Sequence, residues 1–255
     1  MEHRAPQYAP RLPPQPELHR HAFFLDVDGT LVSFARSPEE VRADPAILSL
    51  LVRLERGSAG ALALITGRTL ASLDRVTAPH RFAAAGIHGL ERRGARGADA
   101  GCVASNALEQ VRASLRALSQ EHPELLLEDK GSGLALHFRA VPQLAARATA
   151  RALELARPHP DLKVQQGHLV VEVLPRIAGK QHALAAFMEQ EPFRGRTPLF
   201  VGDDLTDEAA FEWVNAVGGL SVAVGATRPT AASTQLPSVA AVRAWLGSAV
   251  AGERL

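Results

Sequence analysis

The sequence predicts an α/β protein whose doubly wound parallel sheet carries an inserted α+β domain. Largely apolar runs at 22–25, 61–65 and 197–201 each end abruptly in polar residues, which suits strands buried on both faces. Helical patterns alternate with these runs, and this alternation is typical of a parallel sheet. Between about residues 104 and 174 the order becomes helix, strand, strand, repeated once. That change predicts a second domain of a different class.

The composition indicates a globular chain without a strong charge. The 255 residues are 46% hydrophobic and 22% charged, and the formal net charge is +1. This balance argues against nucleic acid or an anionic membrane as a partner. The single cysteine, Cys102, excludes an internal disulfide framework. No apolar stretch approaches the roughly 20 residues that span a bilayer.

The N-terminal segment is rich in proline and lacks the apolar core of a secretory signal. We therefore expect a cytoplasmic protein, with residues 1–20 forming a disordered tail. A role for residues 10–13 as a proline-rich ligand is the less favoured alternative.

The first half of the core is predicted from hydrophobic periodicity. An amphipathic helix over 44–56 follows the first strand, and a strand over 61–65 leads into Thr66-Gly67-Arg68. A helix then begins near Thr69, and a further strand over 82–86 brings residues 87–92 to the same edge of the sheet.

The inserted domain is predicted as two helices and four strands around two glycine-containing turns. Its helices are expected over 106–120 and 143–156, and its strands over 125–129, 134–139, 162–165 and 168–174. We therefore divide the chain into a core, 21–103 with 175–250, and an inserted domain, 104–174.

The α/β pattern resumes after Pro175. Helices are expected over 180–191, through Phe211 and Trp213, and over 239–246; strands are expected over 197–201 and 220–224. The strand at 197–201 ends in Gly202-Asp203-Asp204, which is followed by Asp207.

Two carboxylates follow the first strand at the edge where open α/β sheets bind ligands. Asp26 and Asp28 are two residues apart, so they project to the same side of an extended chain. Two like charges this close need a cation or a shared proton, and Mg²⁺ prefers such oxygen ligands. The alternative is a strand end followed by an Asp-Gly hairpin turn.

Polar groups at several strand ends together supply the chemistry of phosphoryl transfer. Such a reaction needs a nucleophile, a proton donor, a cation and groups that stabilise the phosphoryl oxygens, and a carboxylate can be the nucleophile. The sequence contains no P-loop, no nucleophile elbow and no H-E-x-x-H pair. Taken alone, Asp203, Asp204 and Asp207 also suit a solvated helix start.

The order of these motifs resembles the haloacid dehalogenase (HAD) superfamily, whose core is Rossmann-like. The matching segments are Asp26-x-Asp28-Gly29-Thr30, Thr66, Lys180 and Gly202-Asp203-Asp204 with Asp207. The resemblance implies Asp26 as the nucleophile, Asp28 as the general acid and base, and Thr66 and Lys180 as ligands of the phosphoryl oxygens. It also implies that Mg²⁺ binds Asp26, the backbone carbonyl of Asp28 and Asp203, with Asp204 and Asp207 in support.

Further segments resemble trehalose-6-phosphate phosphatases, over nearly all of residues 21–246. These segments are 201–208, 86–91, 128–130 and 137–139. The resemblance implies a cap domain that closes over a sugar, and Mg-dependent hydrolysis of trehalose 6-phosphate, the last step of trehalose biosynthesis. The implied substrate-binding residues are Gly67, Arg68, Gly86, His88, Glu128, Lys130 and Glu172.

Several alternatives stay open at this point. The substrate could be another sugar phosphate, such as sucrose or hexose phosphate, or the chain could be a catalytically silent phosphosugar sensor that regulates a partner such as a trehalose-phosphate synthase. Glu128 and Lys130 could form an exposed ion pair with no ligand, and His88 could be structural. Mn²⁺ accepts the same oxygen ligands as Mg²⁺.

Overall fold

An eight-stranded sheet forms the centre of the larger part of the molecule. The computed structural model describes residues 11–34, 40–94, 99–100, 106–167 and 169–251. The strands of this sheet are β1 (His21–Leu25), β2 (Leu62–Ile65), β3 (Ala83–Gly86), β4 (Glu91–Arg93), β5 (Asp99–Ala100), β10 (Thr197–Gly202), β11 (Leu220–Val224) and β12 (Thr234–Leu236). Their spatial order is β12-β11-β10-β1-β2-β3-β4-β5. All neighbours run parallel except β4 and β5, which add an antiparallel edge.

Helices cover both faces of this sheet, because its central strands are apolar on both sides. Alternate residues of β1 show the pattern: Phe23 and Leu25 pack on one face, whereas Phe24 packs on the other. The first face is covered by α1 (Pro45–Gly57), α2 (Leu70–Thr77) and α7 (Val239–Val250), and the second by α5 (Lys180–Met188) and α6 (Glu208–Ala216). The predicted doubly wound α/β core is confirmed.

A second, smaller sheet is antiparallel throughout. Its order is β6-β7-β9-β8, formed by β6 (Leu126–Asp129), β7 (Leu134–His137), β8 (Leu162–Gly167) and β9 (Val170–Pro175). One face packs against α3 (Asn106–Glu121) and α4 (Ala145–Ala156) through side chains such as Leu136 and Val171. Residues that alternate with these therefore face away from the helices. Among the helices of the described ranges, none is both long and apolar enough to cross a membrane.

The edge strands of the larger sheet differ from the sequence expectation. Residues 234–236, which lie between the predicted strand at 220–224 and the predicted helix at 239–246, form β12, and the sequence does not predict β4 or β5 either. These strands have two or three residues each and lack an apolar run, so periodicity does not detect them. The predicted domain boundary near residue 104, and Cys102, lie outside the described residues.

Residues 11–20 contact the core, although the sequence predicts them to belong to a disordered tail. Leu18 is buried, and the carbonyl oxygens of Arg11 and Pro14 accept hydrogen bonds from Gln235 and Trp245. A proline-rich segment can bind in this way because its carbonyl groups are still free to accept hydrogen bonds. Residues 1–10 lie outside the described residues.

Phe24 tests the packing of the second face of the larger sheet. Its ring is fully buried and lies 5.5 Å from that of Phe193 and 6.0 Å from that of Phe187, between ring centroids. We expect Phe24→Ala to lower the free energy of unfolding by about 3–5 kcal/mol, because it leaves a cavity among aromatic rings. Urea denaturation followed by circular dichroism measures this change.

The matched control is Val217→Ala, since Val217 is 51% exposed. This variant should change the free energy of unfolding by less than about 0.5 kcal/mol. A loss below about 1 kcal/mol for Phe24→Ala would contradict the described packing.

Candidate active site

The carboxyl ends of neighbouring parallel strands bring the predicted catalytic side chains together. β1 lies between β10 and β2, so Asp26 follows the central strand, Asp203 follows one neighbour and Thr66 the other. Gly29, after β1, has a φ of +83°, and a Cβ atom there would overlap the carboxylate of Asp203. Glycine at this position therefore allows two strand ends to approach each other.

Lys180 is buried between two carboxylates. Its Nζ lies 2.6 Å from Oδ1 of Asp26 and 2.6 Å from Oδ1 of Asp207. Burial alone would lower the pKa of Lys180, but the charges of Asp207 and Asp26 outweigh it and raise that pKa. The ammonium group therefore stays charged at neutral pH.

The carboxylates outnumber this single ammonium group. Oxygen atoms of Asp26, Asp203 and Asp207 all lie within 4.8 Å of one another. Burial raises the pKa of Asp26 to about 7, against the opposing effect of Lys180. Burial, together with the charges of Asp26 and Asp207, raises the pKa of Asp203 to about 9. The charged form of Lys180 is stabilised by two anions. The charged form of each carboxylate is stabilised by one cation but destabilised by the neighbouring anions.

This donor set fits a hard divalent cation. Asp26 and Asp203 were predicted as ligands, and their carboxylates converge beside Lys180. Asp207, predicted in a supporting role, belongs to the same cluster and also accepts hydrogen bonds of 3.0 Å from the backbone N–H groups of Asp203 and Asp204. Mg²⁺ prefers such oxygen ligands and would neutralise the excess negative charge.

Asp28 has a different environment from Asp26. Both of its carboxylate oxygens accept hydrogen bonds of 2.7 Å from the guanidinium group of Arg68. A bidentate pair of this kind fixes the orientation of a carboxylate. The predicted metal contact of Asp28 is through its backbone carbonyl and stays a prediction.

Two further residues of the site have no role assigned to them from the sequence. The Thr30 hydroxyl donates to Oδ1 of Asp203 over 3.1 Å, and Gln165 lies beside His88, with 3.5 Å between Nε2 and Nδ1. Thr30 is the last residue of the Asp-x-Asp-Gly-Thr motif, so its position gave a signal. Gln165 gave none, because its proximity to His88 arises from the folding of two distant segments.

The loop after β2 contributes a hydroxyl group and backbone atoms. The buried hydroxyl oxygen of Thr66 accepts a hydrogen bond of 3.1 Å from the backbone N–H of Arg68. The carbonyl oxygen of Gly67 accepts one of 2.8 Å from Lys130 of the smaller sheet. This loop therefore contacts both the site and the smaller sheet.

His88 links three parts of the site. Its ring Nε2 lies 2.7 Å from Oε2 of Glu172, its backbone N–H donates to the carbonyl of Thr66, and its own carbonyl accepts from Gly179, next to Lys180. Ile87 and His88 both have positive φ, 45° and 53°, and each such position costs about 1–3 kcal/mol. Gly86 is required here because a Cβ would lie 2.8 Å from the carbonyl oxygen of Arg68.

The predicted sugar-contacting residues lie together on the open face of the smaller sheet. Glu172 pairs with Lys130 at 2.7 Å as well as with His88, and all three side chains are buried. The alternative of an exposed ion pair is therefore wrong for Lys130. Glu128 lies 3.9 Å from Lys130 and 2.9 Å from Nε2 of His137.

A cavity of about 240 Å³ lies between this open face and the strand ends of the larger sheet. Of the predicted site residues, those that line it are Asp26, Asp28, Thr66, Gly67, Arg68, His88, Glu128, Lys130, Glu172, Lys180, Asp203 and Asp204. Gly86 and Asp207 lie behind this lining, where they support His88 and Lys180.

Comparison with known proteins agrees with this geometry. A family model described as trehalose-phosphatase matches residues 24–240. The chain belongs to the trehalose-phosphatase family. A relative from Escherichia coli (strain K12), named trehalose-6-phosphate phosphatase, is 42% identical over 233 residues, which cover 91% of this chain and 87% of the relative. The resemblance seen in the sequence motifs is thereby confirmed.

Solved structures support the fold. The C-terminal domain of a trehalose-6-phosphate phosphatase from C. albicans matches with a TM-score of 0.81 at 23% identity, over 91% of this chain and 92% of that one. A phosphatase of the HAD enzyme superfamily from Bacteroides thetaiotaomicron matches with a TM-score of 0.63 at 16% identity, over 97% of both chains. The HAD-like fold of the family is therefore present here.

Glu172 provides a test of the buried charge network. Burial would raise the pKa of its carboxyl group, but Lys130 and His88 outweigh burial and lower it. Replacing Glu172 by Gln should lower the free energy of unfolding at about pH 7 by about 3–5 kcal/mol, because Lys130 loses its buried partner.

The difference between wild type and Glu172→Gln should depend on pH. The folded-state pKa of Glu172 lies below its ordinary value of 4.5, so the stabilisation is complete above 4.5 and is lost as pH falls towards the folded-state pKa. Urea denaturation between about pH 7 and pH 3.5 measures this loss. Glu154→Gln, at an exposed ion pair with Arg151, is the control and should change stability little at any pH. A pH-independent difference for Glu172→Gln would contradict the network.

Proposed function

We propose that this protein is a divalent-cation-dependent phosphatase that hydrolyses trehalose 6-phosphate through a phosphorylated aspartate. The observation that carries the proposal is the buried pair of Asp26 and Lys180, 2.6 Å apart beside Asp203, at the end of a cavity whose other wall is charged. Membership of the trehalose-phosphatase family supports the substrate.

Asp26 is the proposed nucleophile. Its carboxylate oxygen forms a bond to phosphorus, the bond from phosphorus to the sugar oxygen breaks, and Asp28 gives a proton to that leaving oxygen. Asp28 then takes a proton from a water molecule, whose oxygen attacks phosphorus and releases phosphate from Asp26. Arg68 orients the ionised Asp28 carboxylate through two hydrogen bonds, which suits the role of Asp28 as the base in the second step.

Lys180 and Thr66 are the proposed ligands of the moving phosphoryl oxygens. Lys180 is held in place by Asp207, and the Thr66 hydroxyl is free to donate because its oxygen is the acceptor in the bond from Arg68. Preorganised groups of this kind stabilise the charge that develops during phosphoryl transfer.

Asp26, Asp203 and the backbone carbonyl of Asp28 are the proposed ligands of the divalent cation, with Asp204 and Asp207 in support. Mg²⁺ bound here would neutralise charge on the phosphoryl group and on the carboxylates. Mn²⁺ would accept the same oxygen ligands.

Residues 104–174 are proposed to act as the cap that recognises the sugar. Glu128, Lys130 and Glu172 project from this part towards the cavity, while Gly67, Arg68 and His88 border it from the core and Gly86 lies behind them. A neutral disaccharide presents hydroxyl groups, and charged side chains bind these with strong hydrogen bonds.

We also propose a cytoplasmic location and a functional pairing with a trehalose-phosphate synthase, whose reaction would supply the substrate.

A substrate panel tests this function. Phosphate release is measured with Mg²⁺, and again with a chelator, on trehalose 6-phosphate, sucrose 6-phosphate, glucose 6-phosphate and an aryl phosphate. We expect Mg-dependent release that strongly favours trehalose 6-phosphate, because the chain belongs to the trehalose-phosphatase family, and because glucose 6-phosphate and the aryl phosphate lack a second sugar ring. Asp26→Asn should lose at least about a thousandfold in rate, whereas Asp161→Asn, at an exposed position of the smaller unit, should not.

Each other outcome points to a specific rival. Comparable release from several sugar phosphates would favour a broader sugar-phosphate phosphatase. Tight binding of trehalose 6-phosphate without turnover would favour a silent regulator, although such a protein has no chemical need for Asp28 or Lys180.

A further inference from the structure

The cavity has a wall of defined length, formed by one strand of the smaller sheet. Leu126, Glu128 and Lys130 lie on the same face of β6 and its continuation, and all three line the cavity. Lys130 is held against the loop that follows β2 of the larger sheet by its hydrogen bond to the carbonyl oxygen of Gly67. At about 3.4 Å per residue, Leu126 lies roughly 14 Å along this wall from Lys130.

The character of the lining changes along this wall. At the Lys130 end the neighbours are the buried side chains of Glu172 and His88. At the other end Leu126 is 48% exposed, and it shares the cavity with Phe34, which is 41% exposed. Single exposed apolar side chains are common on protein surfaces. These two, however, come from different parts of the fold and line one cavity.

Arg139 connects these two parts at the same end of the cavity. Its guanidinium carbon lies 5.5 Å from the centre of the Phe34 ring, a cation–π arrangement. Arg139 follows β7, whose residue His137 pairs with Leu126, so it belongs to the same end of the smaller sheet. Phe34 follows β1 in the core. The contact therefore holds the aromatic ring at the cavity end farthest from Lys130.

We propose that Phe34 and Leu126 form an apolar platform for the sugar ring remote from the phosphate, with Arg139 positioning the Phe34 ring. A pyranose ring carries hydroxyl groups at its edge and C–H groups on its faces. The charged residues suit the edge, whereas an aromatic and an aliphatic side chain suit a face. The platform would favour a disaccharide phosphate over a hexose phosphate, whose single ring stays at the phosphate end. This inference rests on the proposed function.

The test compares two substrates on variants of Phe34. We expect Phe34→Ala to raise KM for trehalose 6-phosphate by about tenfold while kcat changes by less than about twofold. The increase in KM for glucose 6-phosphate should be several times smaller. Phe34→Tyr keeps the ring and should restore most of the affinity, and Arg139→Ala should raise KM for the disaccharide by about threefold.

Leu153→Ala is the matched control, because Leu153 is 53% exposed and belongs to α4, away from the cavity. It should leave both KM values unchanged, and circular dichroism should show that every variant is folded. Equal changes in KM for both substrates, no change, or failure of Phe34→Tyr to restore affinity would each overturn the platform. A wild-type protein that releases no phosphate from trehalose 6-phosphate would instead overturn the proposed function.

Discussion

Lys180 holds Asp26 and Asp207 at 2.6 Å each in a space that solvent barely reaches, and the rest of the site depends on this arrangement. Without the ammonium group, the converging carboxylates would be protonated or would repel one another. With it, the carboxylates still outnumber the ammonium group. The negative charge that remains beside Asp203 suits a divalent cation. The fold supplies this geometry because α5 begins with Lys180 at the strand ends of the parallel sheet.

A second charged network joins the smaller sheet to the larger one. Glu172 contacts both Lys130 and His88, and Lys130 also reaches the carbonyl of Gly67. His88 in turn is bonded through its backbone to Thr66 and to Gly179, which precedes Lys180. The proposed sugar-binding wall of the cavity is therefore connected by hydrogen bonds to the groups that are proposed to act on the phosphate.

The sequence predicts the parts of the protein that depend on local pattern. Buried parallel strands are continuous apolar runs, so the strands before Asp26, Thr66 and Asp203 and their shared edge follow from periodicity. The edge strands β4, β5 and β12 do not, because they are short and polar and form only by pairing with a neighbour. The Asp28–Arg68 and Phe34–Arg139 contacts likewise arise between distant segments, and no local pattern encodes them.

The central claim is that Asp26 carries the phosphoryl group during turnover. The most direct measurement is to quench the reaction on trehalose 6-phosphate with acid, reduce with borohydride and examine the peptides by mass spectrometry. Borohydride reduces an acyl phosphate to an alcohol, so the account predicts homoserine at position 26, and none in Asp26→Asn. Homoserine at Asp28 or Asp203, or turnover with no modified carboxylate, would contradict it.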